Sequence, residues 1–154
     1  MASFYLDASA LVKRYLWEPG SSWVSKLLEQ PGQDSVSRLE LIAVEVVCAL
    51  SRAERDSRIG LARRDSLASL FLDELSALLE SVPVSVEILR NANQLALRHP
   101  LRAYDAMHLA TALDLRADLV EIGLPAPIFV SADENLLAAA RAEGLAAEDP
   151  NAHE

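Results

Sequence analysis

Short apolar runs alternate with longer amphipathic ones along this chain, and that alternation limits the folds open to it. Phe4-Tyr5-Leu6, Ser35-Val36-Ser37, residues 82–86 and Ile128-Phe129-Val130-Ser131 read as short strands. Helical patterns over 8–16, 23–30, 39–56, 62–80, 87–98, 103–119 and 133–143 lie between and after them. Strands that alternate with helices predict an α/β/α sandwich around a small central parallel sheet. No repeat or linker divides the 154 residues, so one domain over 1–154 is expected. Its core is read as about 4–145, followed by a loose C-terminal tail from residue 146.

Within this apolar frame, most acids sit beside other charges on polar faces. Four do not. Asp7 is the only charged side chain between Met1 and Val12, and Glu45 the only one between Leu41 and Ser51. Asp105 is the only one between Ala103 and Leu113, and Asp133 follows eleven uncharged residues. A carboxylate in apolar surroundings must find a partner, shift its pKa or meet a cation. Asp7 and Asp133 directly follow strands, and ligands of open α/β sheets gather at strand carboxyl ends. Four carboxylates brought together there would repel one another. A hard divalent cation relieves that repulsion, and oxygen donors suit Mg²⁺ or Mn²⁺.

Each acid also has a purely structural reading. Asp7 and Asp133 suit N-caps of the helices that follow them. Asp105 suits the first turn of its helix. Glu45 is read as lying mid-helix, where capping is not open to it and a buried ion pair with an arginine is the rival. Ser9 and Ser131 fit either phosphate contact or capping. His108, one turn after Asp105, fits either a general base or a hydrogen-bonded structural histidine.

Four segments, taken in order, resemble the PIN-domain proteins and in particular the VapC-type toxins of bacterial toxin–antitoxin pairs. They are Tyr5-Leu6-Asp7-Ala8-Ser9-Ala10-Leu11-Val12-Lys13, Val44-Glu45-Val46-Val47-Cys48-Ala49-Leu50, Leu101 through Ala112 around Tyr104-Asp105-Ala106, and Phe129-Val130-Ser131-Ala132-Asp133-Glu134-Asn135-Leu136. The resemblance implies a PIN fold and an endoribonuclease dependent on Mg²⁺ or Mn²⁺. Its four acidic positions fall on Asp7, Glu45, Asp105 and Asp133, with Asp7 and Asp105 the first choices as direct metal ligands. Asn135 stands where some relatives carry a further acid, which leaves the number of ions open. The resemblance also implies an antitoxin partner, a homodimer, and contact with DNA only through the antitoxin. Trp17 and Trp23 flank the Pro19-Gly20 turn near the expected antitoxin groove. The alternatives are a DNA-directed PIN-like nuclease and an inactive PIN-like module that only binds a partner. A haloacid dehalogenase-type phosphatase would need an acid at position 9, which is Ser.

Charge does not contradict an RNA substrate. The net charge is −9, but the basic and acidic residues are segregated. Residues 1–64 carry nine basic and eight acidic side chains, and 65–154 carry five and fifteen. Arg38, Arg52, Arg55, Arg58, Arg63 and Arg64 cluster in one region. A single cysteine, Cys48, cannot form an internal disulfide, and no run is long and apolar enough to span a membrane. A cytoplasmic protein is expected.

Overall fold

The computed structural model describes residues 1–30, 32 and 34–153. Five parallel strands form one sheet in the order β3-β2-β1-β4-β5. They are β1 (Ser3–Leu6), β2 (Ser35–Leu39), β3 (Glu80–Val82), β4 (Ile128–Val130) and β5 (Ala147–Glu148). The helices are α1 (Ala8–Leu11), α2 (Ser21–Leu28), α3 (Ile42–Arg55), α4 (Leu61–Leu78), α5 (Val86–Arg98), α6 (Ala103–Glu121) and α7 (Glu134–Ala142). The expected small parallel sheet between two helical layers is the architecture observed.

Strand alternation divides the core in two. Phe4, Leu6, Val36 and Val130 pack on the face covered by α1 to α4, with Val46, Leu50 and Phe71. Tyr5, Leu39 and Phe129 point the other way, against Ile88, Leu95, Leu109 and Leu136 of α5 to α7. The chain runs outward through β1, β2 and β3, then returns to β4 on the opposite side of β1. The order therefore reverses between β1 and β4, and a crevice at such a switch point is where open α/β sheets bind ligands. Asp7 directly follows β1 and its N–H donates to the Val130 carbonyl at 3.1 Å, which ties the two strand ends together.

Several sequence expectations shift. The helix read over 8–16 is a single turn, α1, continued by a 3-10 turn over Val12–Arg14. The helix read from 39 begins at Ile42, because Leu39 continues β2 and pairs with Val82. The strand read over 82–86 lies earlier, at Glu80–Val82, and ends at Pro83, which has no N–H for the ladder.

The tail is not loose. Residues 147–148 form β5 against β4, and a 3-10 turn over Pro150–Ala152 follows. Asn151 accepts a 2.9 Å hydrogen bond from the buried Lys13, and the His153 ring stacks on Trp23 at 4.5 Å. Gly20, at φ 85°, packs so tightly against the tail that a Cβ there would lie 2.2 Å from the Pro150 oxygen. None of these contacts needs an apolar period, so the polar character of the segment carried no sign of them.

Candidate active site

Asp7 caps α1, with its Oδ1 accepting from the Ala10 N–H at 3.0 Å. It is also 4% exposed and surrounded by hydroxyl donors. Ser9 Oγ lies 2.8 and 2.9 Å from its two oxygens, and Ser131 Oγ donates to Oδ2 at 2.8 Å. Backbone groups of the β4–α7 turn orient both serines. The Ala132 N–H donates to Ser9 Oγ at 2.8 Å and the Asp133 N–H to Ser131 Oγ at 3.1 Å. Each hydroxyl has one hydrogen, and with a backbone donor already on the oxygen that hydrogen goes to Asp7. The serines thus hold Asp7, which displaces their expected capping or phosphate-donating roles. Burial pushes the Asp7 carboxyl above its ordinary range, against the pull of nearby His108 and of these hydrogen bonds.

Asp133 caps α7, with its Oδ1 accepting from the Leu136 N–H at 2.9 Å. Asp105 lies in the first turn of α6, and its Oδ2 accepts from the Arg102 N–H at 3.3 Å. The structural readings of these two acids hold, yet each uses only one carboxylate oxygen. Burial raises the Asp105 carboxyl above the usual aspartate range, the Arg102 N–H opposes the shift, and the negative charge of Asp133 adds to it.

Glu45 departs from expectation. It lies in the first turn of α3, not mid-helix, because the helix starts later. Its partner is no arginine. His108 Nε2 lies 2.6 Å from Glu45 Oε1, and Nδ1 of the same ring lies 2.9 Å from the Tyr5 hydroxyl. A carboxylate only accepts, so Nε2 donates to Glu45, while Nδ1 pairs with the Tyr5 hydroxyl. Burial pushes the Tyr5 hydroxyl well above its ordinary range, which keeps it a donor. With both ring nitrogens engaged and the side chain 1% exposed, His108 is not presented to a substrate as a base. Its structural reading is the one the geometry matches, and its role is to position Glu45. Neither α6 nor β1 advertises the Tyr5 link, since both residues look like ordinary core positions.

All four acids line one cavity of about 660 Å³. α1 contributes Ala8 and Ser9, and α3 contributes a stripe through Glu45, Ala49 and Arg52. Arg102 and Tyr104 stand beside Asp105. Among the described residues no lysine or arginine forms an ion pair with any of the four acids, while Lys13, Arg14, Arg58, Arg64, Arg90 and Arg98 all have acidic partners elsewhere. Among the described residues, too, no three acids, histidines or cysteines are close enough to form a compact metal cluster. The carboxylates share a cavity, not a single point. Two carboxyls pushed up by burial, with no lysine or arginine paired to them among the described residues, offer oxygen donors of the kind a hard divalent ion takes.

Trp17 is 83% exposed and lines a second cavity of about 520 Å³ with Pro19, Gly20, Asn151 and His153. Trp23 instead packs under the tail. Among the described residues no helix is long and apolar enough to cross a membrane.

The PIN domain family matches residues 4–142. Ribonuclease VapC45 of Mycobacterium tuberculosis (strain CDC 1551 / Oshkosh) is 33% identical over 149 residues, covering 94% of this chain and 93% of that protein. Two solved structures share the fold. VapBC2 of Rickettsia felis, bound to a DNA fragment from their promoter, has a TM-score of 0.60 at 13% identity and covers 96% of this chain and 98% of its own. Mycobacterium tuberculosis VapC20, a Sarcin-Ricin loop cleaving toxin, has a TM-score of 0.60 at 16% identity and covers 92% and 95%.

Proposed function

This chain belongs to the PIN-domain family, and from that membership we propose that it is a metal-dependent endoribonuclease, the toxin of a toxin–antitoxin pair. The observation that carries the reading is the crevice at the β1–β4 switch, where Asp7, Glu45, Asp105 and Asp133 line one cavity and, among the described residues, have no paired lysine or arginine. Asp7 and Asp105 would hold Mg²⁺ or Mn²⁺, with Glu45 and Asp133 contributing through water or at a second ion. When bound, such an ion lowers the pKa of a water and neutralises charge on a phosphodiester.

The chain's own groups supply the order. Ser9 and Ser131 hold Asp7 rigid, so its carboxylate need not reorganise during the reaction. His108 fixes Glu45 through Oε1 and leaves Oε2 to orient a water. Asp133 caps α7 through Oδ1, and among the described residues its Oδ2 has no hydrogen bond.

The partner in this reading is an antitoxin, and DNA is met only through it. The VapBC2 assembly on promoter DNA supports that arrangement in a protein of the same fold. The apolar wall of the cavity, Val12, Leu16, Val44 and Ala49, and the exposed Trp17 nearby suit a peptide segment. A homodimer belongs to the same reading, supported by the exposed apolar side chains Val86, Leu97 and Ile122.

RNA cleavage with Asp7→Asn and Asp105→Asn tests the proposal. Both variants should lose cleavage that wild type performs with Mg²⁺ or Mn²⁺ and loses in EDTA. Full, metal-independent cleavage by either variant would overturn it.

A further inference from the structure

The cavity extends past the four acids, and three of its residues, Arg52, Arg102 and Tyr104, have side chains that take no part in holding them. Arg52 stands seven residues after Glu45 on the same side of α3, about 10 Å along the helix at roughly 1.5 Å per residue. Arg102 and Tyr104 open α6 on the other side of Asp105. Arg52 and Arg102 are exposed, and among the described residues neither guanidinium makes an ion pair or hydrogen bond. Arg58, which lines the same cavity, contrasts with them because Glu18 holds it at 3.0 Å.

Tyr104 is 46% exposed. Among the described residues its ring stacks on no other aromatic and its hydroxyl has no hydrogen bond. Core packing does not account for it, because α6 buries Ala106, His108, Leu109 and Ala110 instead. An open aromatic face beside unpaired cations matches a strand of nucleic acid, in which every base has a π-face and every linkage a phosphate. A duplex keeps its bases stacked on one another, so only an unpaired base can reach such a ring.

We propose that Tyr104 is a stacking platform for an unpaired base, and that Arg102 and Arg52 hold backbone phosphates on either side of the acids. This rests on the ribonuclease reading above.

The test compares kcat and KM on a short single-stranded oligoribonucleotide and on the same sequence in a perfect duplex. Tyr104→Leu should lower kcat/KM on the single strand about 5- to 150-fold, the equivalent of one base–aromatic stack, mainly through KM. Tyr104→Phe should keep the wild-type value. Arg52→Gln and Arg102→Gln should each flatten the salt dependence of log KM by about 0.7, the share of a single neutralised phosphate on a single strand. Circular dichroism checks that each variant folds. If wild type cleaves in an Asp105-dependent way and Tyr104→Leu matches it, the stacking platform is wrong and the ribonuclease reading stands; a Tyr104 that serves a protein contact gives the same result. Equal cleavage of duplex and single strand also overturns the proposal. Absence of cleavage by wild type on any RNA removes the ribonuclease reading and this inference with it.

Discussion

Tyr5 and Glu45 are linked through one imidazole. His108 lies 2.9 Å from the Tyr5 hydroxyl at one nitrogen and 2.6 Å from Glu45 at the other, and it is 1% exposed. This bridge joins the middle of the sheet, the start of α3 and the buried face of α6. It positions a cavity carboxylate from the core side, so the reach of Glu45 depends on a residue that never meets solvent.

Tyr5→Phe keeps the ring that stacks on Phe129 but leaves His108 Nδ1 without its partner. A buried polar atom left unpaired costs about 1–3 kcal/mol. Urea denaturation should show a loss in that range. RNA cleavage should fall less than for Glu45→Gln, because the Glu45–His108 bond remains. An unchanged midpoint would mean the hydroxyl contributes nothing.

Asp105 should oppose folding of the metal-free protein at neutral pH. Burial and Asp133 both disfavour its charge, so Asp105→Asn should raise the melting temperature in EDTA while it abolishes cleavage. Mg²⁺ or Mn²⁺ should raise the wild-type melting temperature, since a ligand of the folded state stabilises it, and the variant should lose that response. A lower melting temperature for Asp105→Asn in EDTA would contradict this electrostatic account.

Glu74 should make stability depend on acid pH. Its carboxylate accepts from Arg14 Nε at 3.0 Å and Nη2 at 3.2 Å, and from the Tyr15 hydroxyl at 2.8 Å. The Arg14 bonds, chiefly, hold its pKa below the ordinary glutamate value. A lowered folded-state pKa stabilises above the unfolded value, and that stability is lost as pH falls through the folded one. Glu74→Gln should therefore cost about 1–2 kcal/mol at pH 7. The gap to wild type should close as pH drops below the glutamate range, which thermal melts across acid pH would resolve.

Gly20→Ala should release the C-terminal segment. The position needs φ 85°, and the added methyl would strike the Pro150 carbonyl. Backbone strain alone costs about 1–3 kcal/mol. Hydrogen exchange should show residues 147–153 losing protection before the rest of the sheet.

The four acids were legible because each sits in a local apolar context that ordinary surface acids lack. Strand and helix identity was legible for a similar reason, since a period of two or of 3.6 is written in neighbouring residues. Asp7 directly after β1 and Asp133 after β4 pointed to the crevice without coordinates. Glu45 is legible as unusual, but local pattern misplaces it within its helix, because the end of β2 is set by pairing with β3. The polar residues 146–153 looked loose because their partners, β4, Lys13 and Gly20, are far away in sequence.

The sequence by itself determined the order of elements and which side chains are chemically out of place, since both follow from near neighbours. Only the tertiary structure decided what each acid meets. Tyr5 and His108 are 103 residues apart, Glu45 and His108 63, and Ser131 and Asp7 124. Hydrogen-bond partners at such separations depend on which helix faces meet which strand ends, and no local period encodes that. Among the described residues the same packing leaves the side chains of Arg52, Arg102 and Tyr104 unengaged beside the cavity, where in the sequence they look like ordinary polar-face residues.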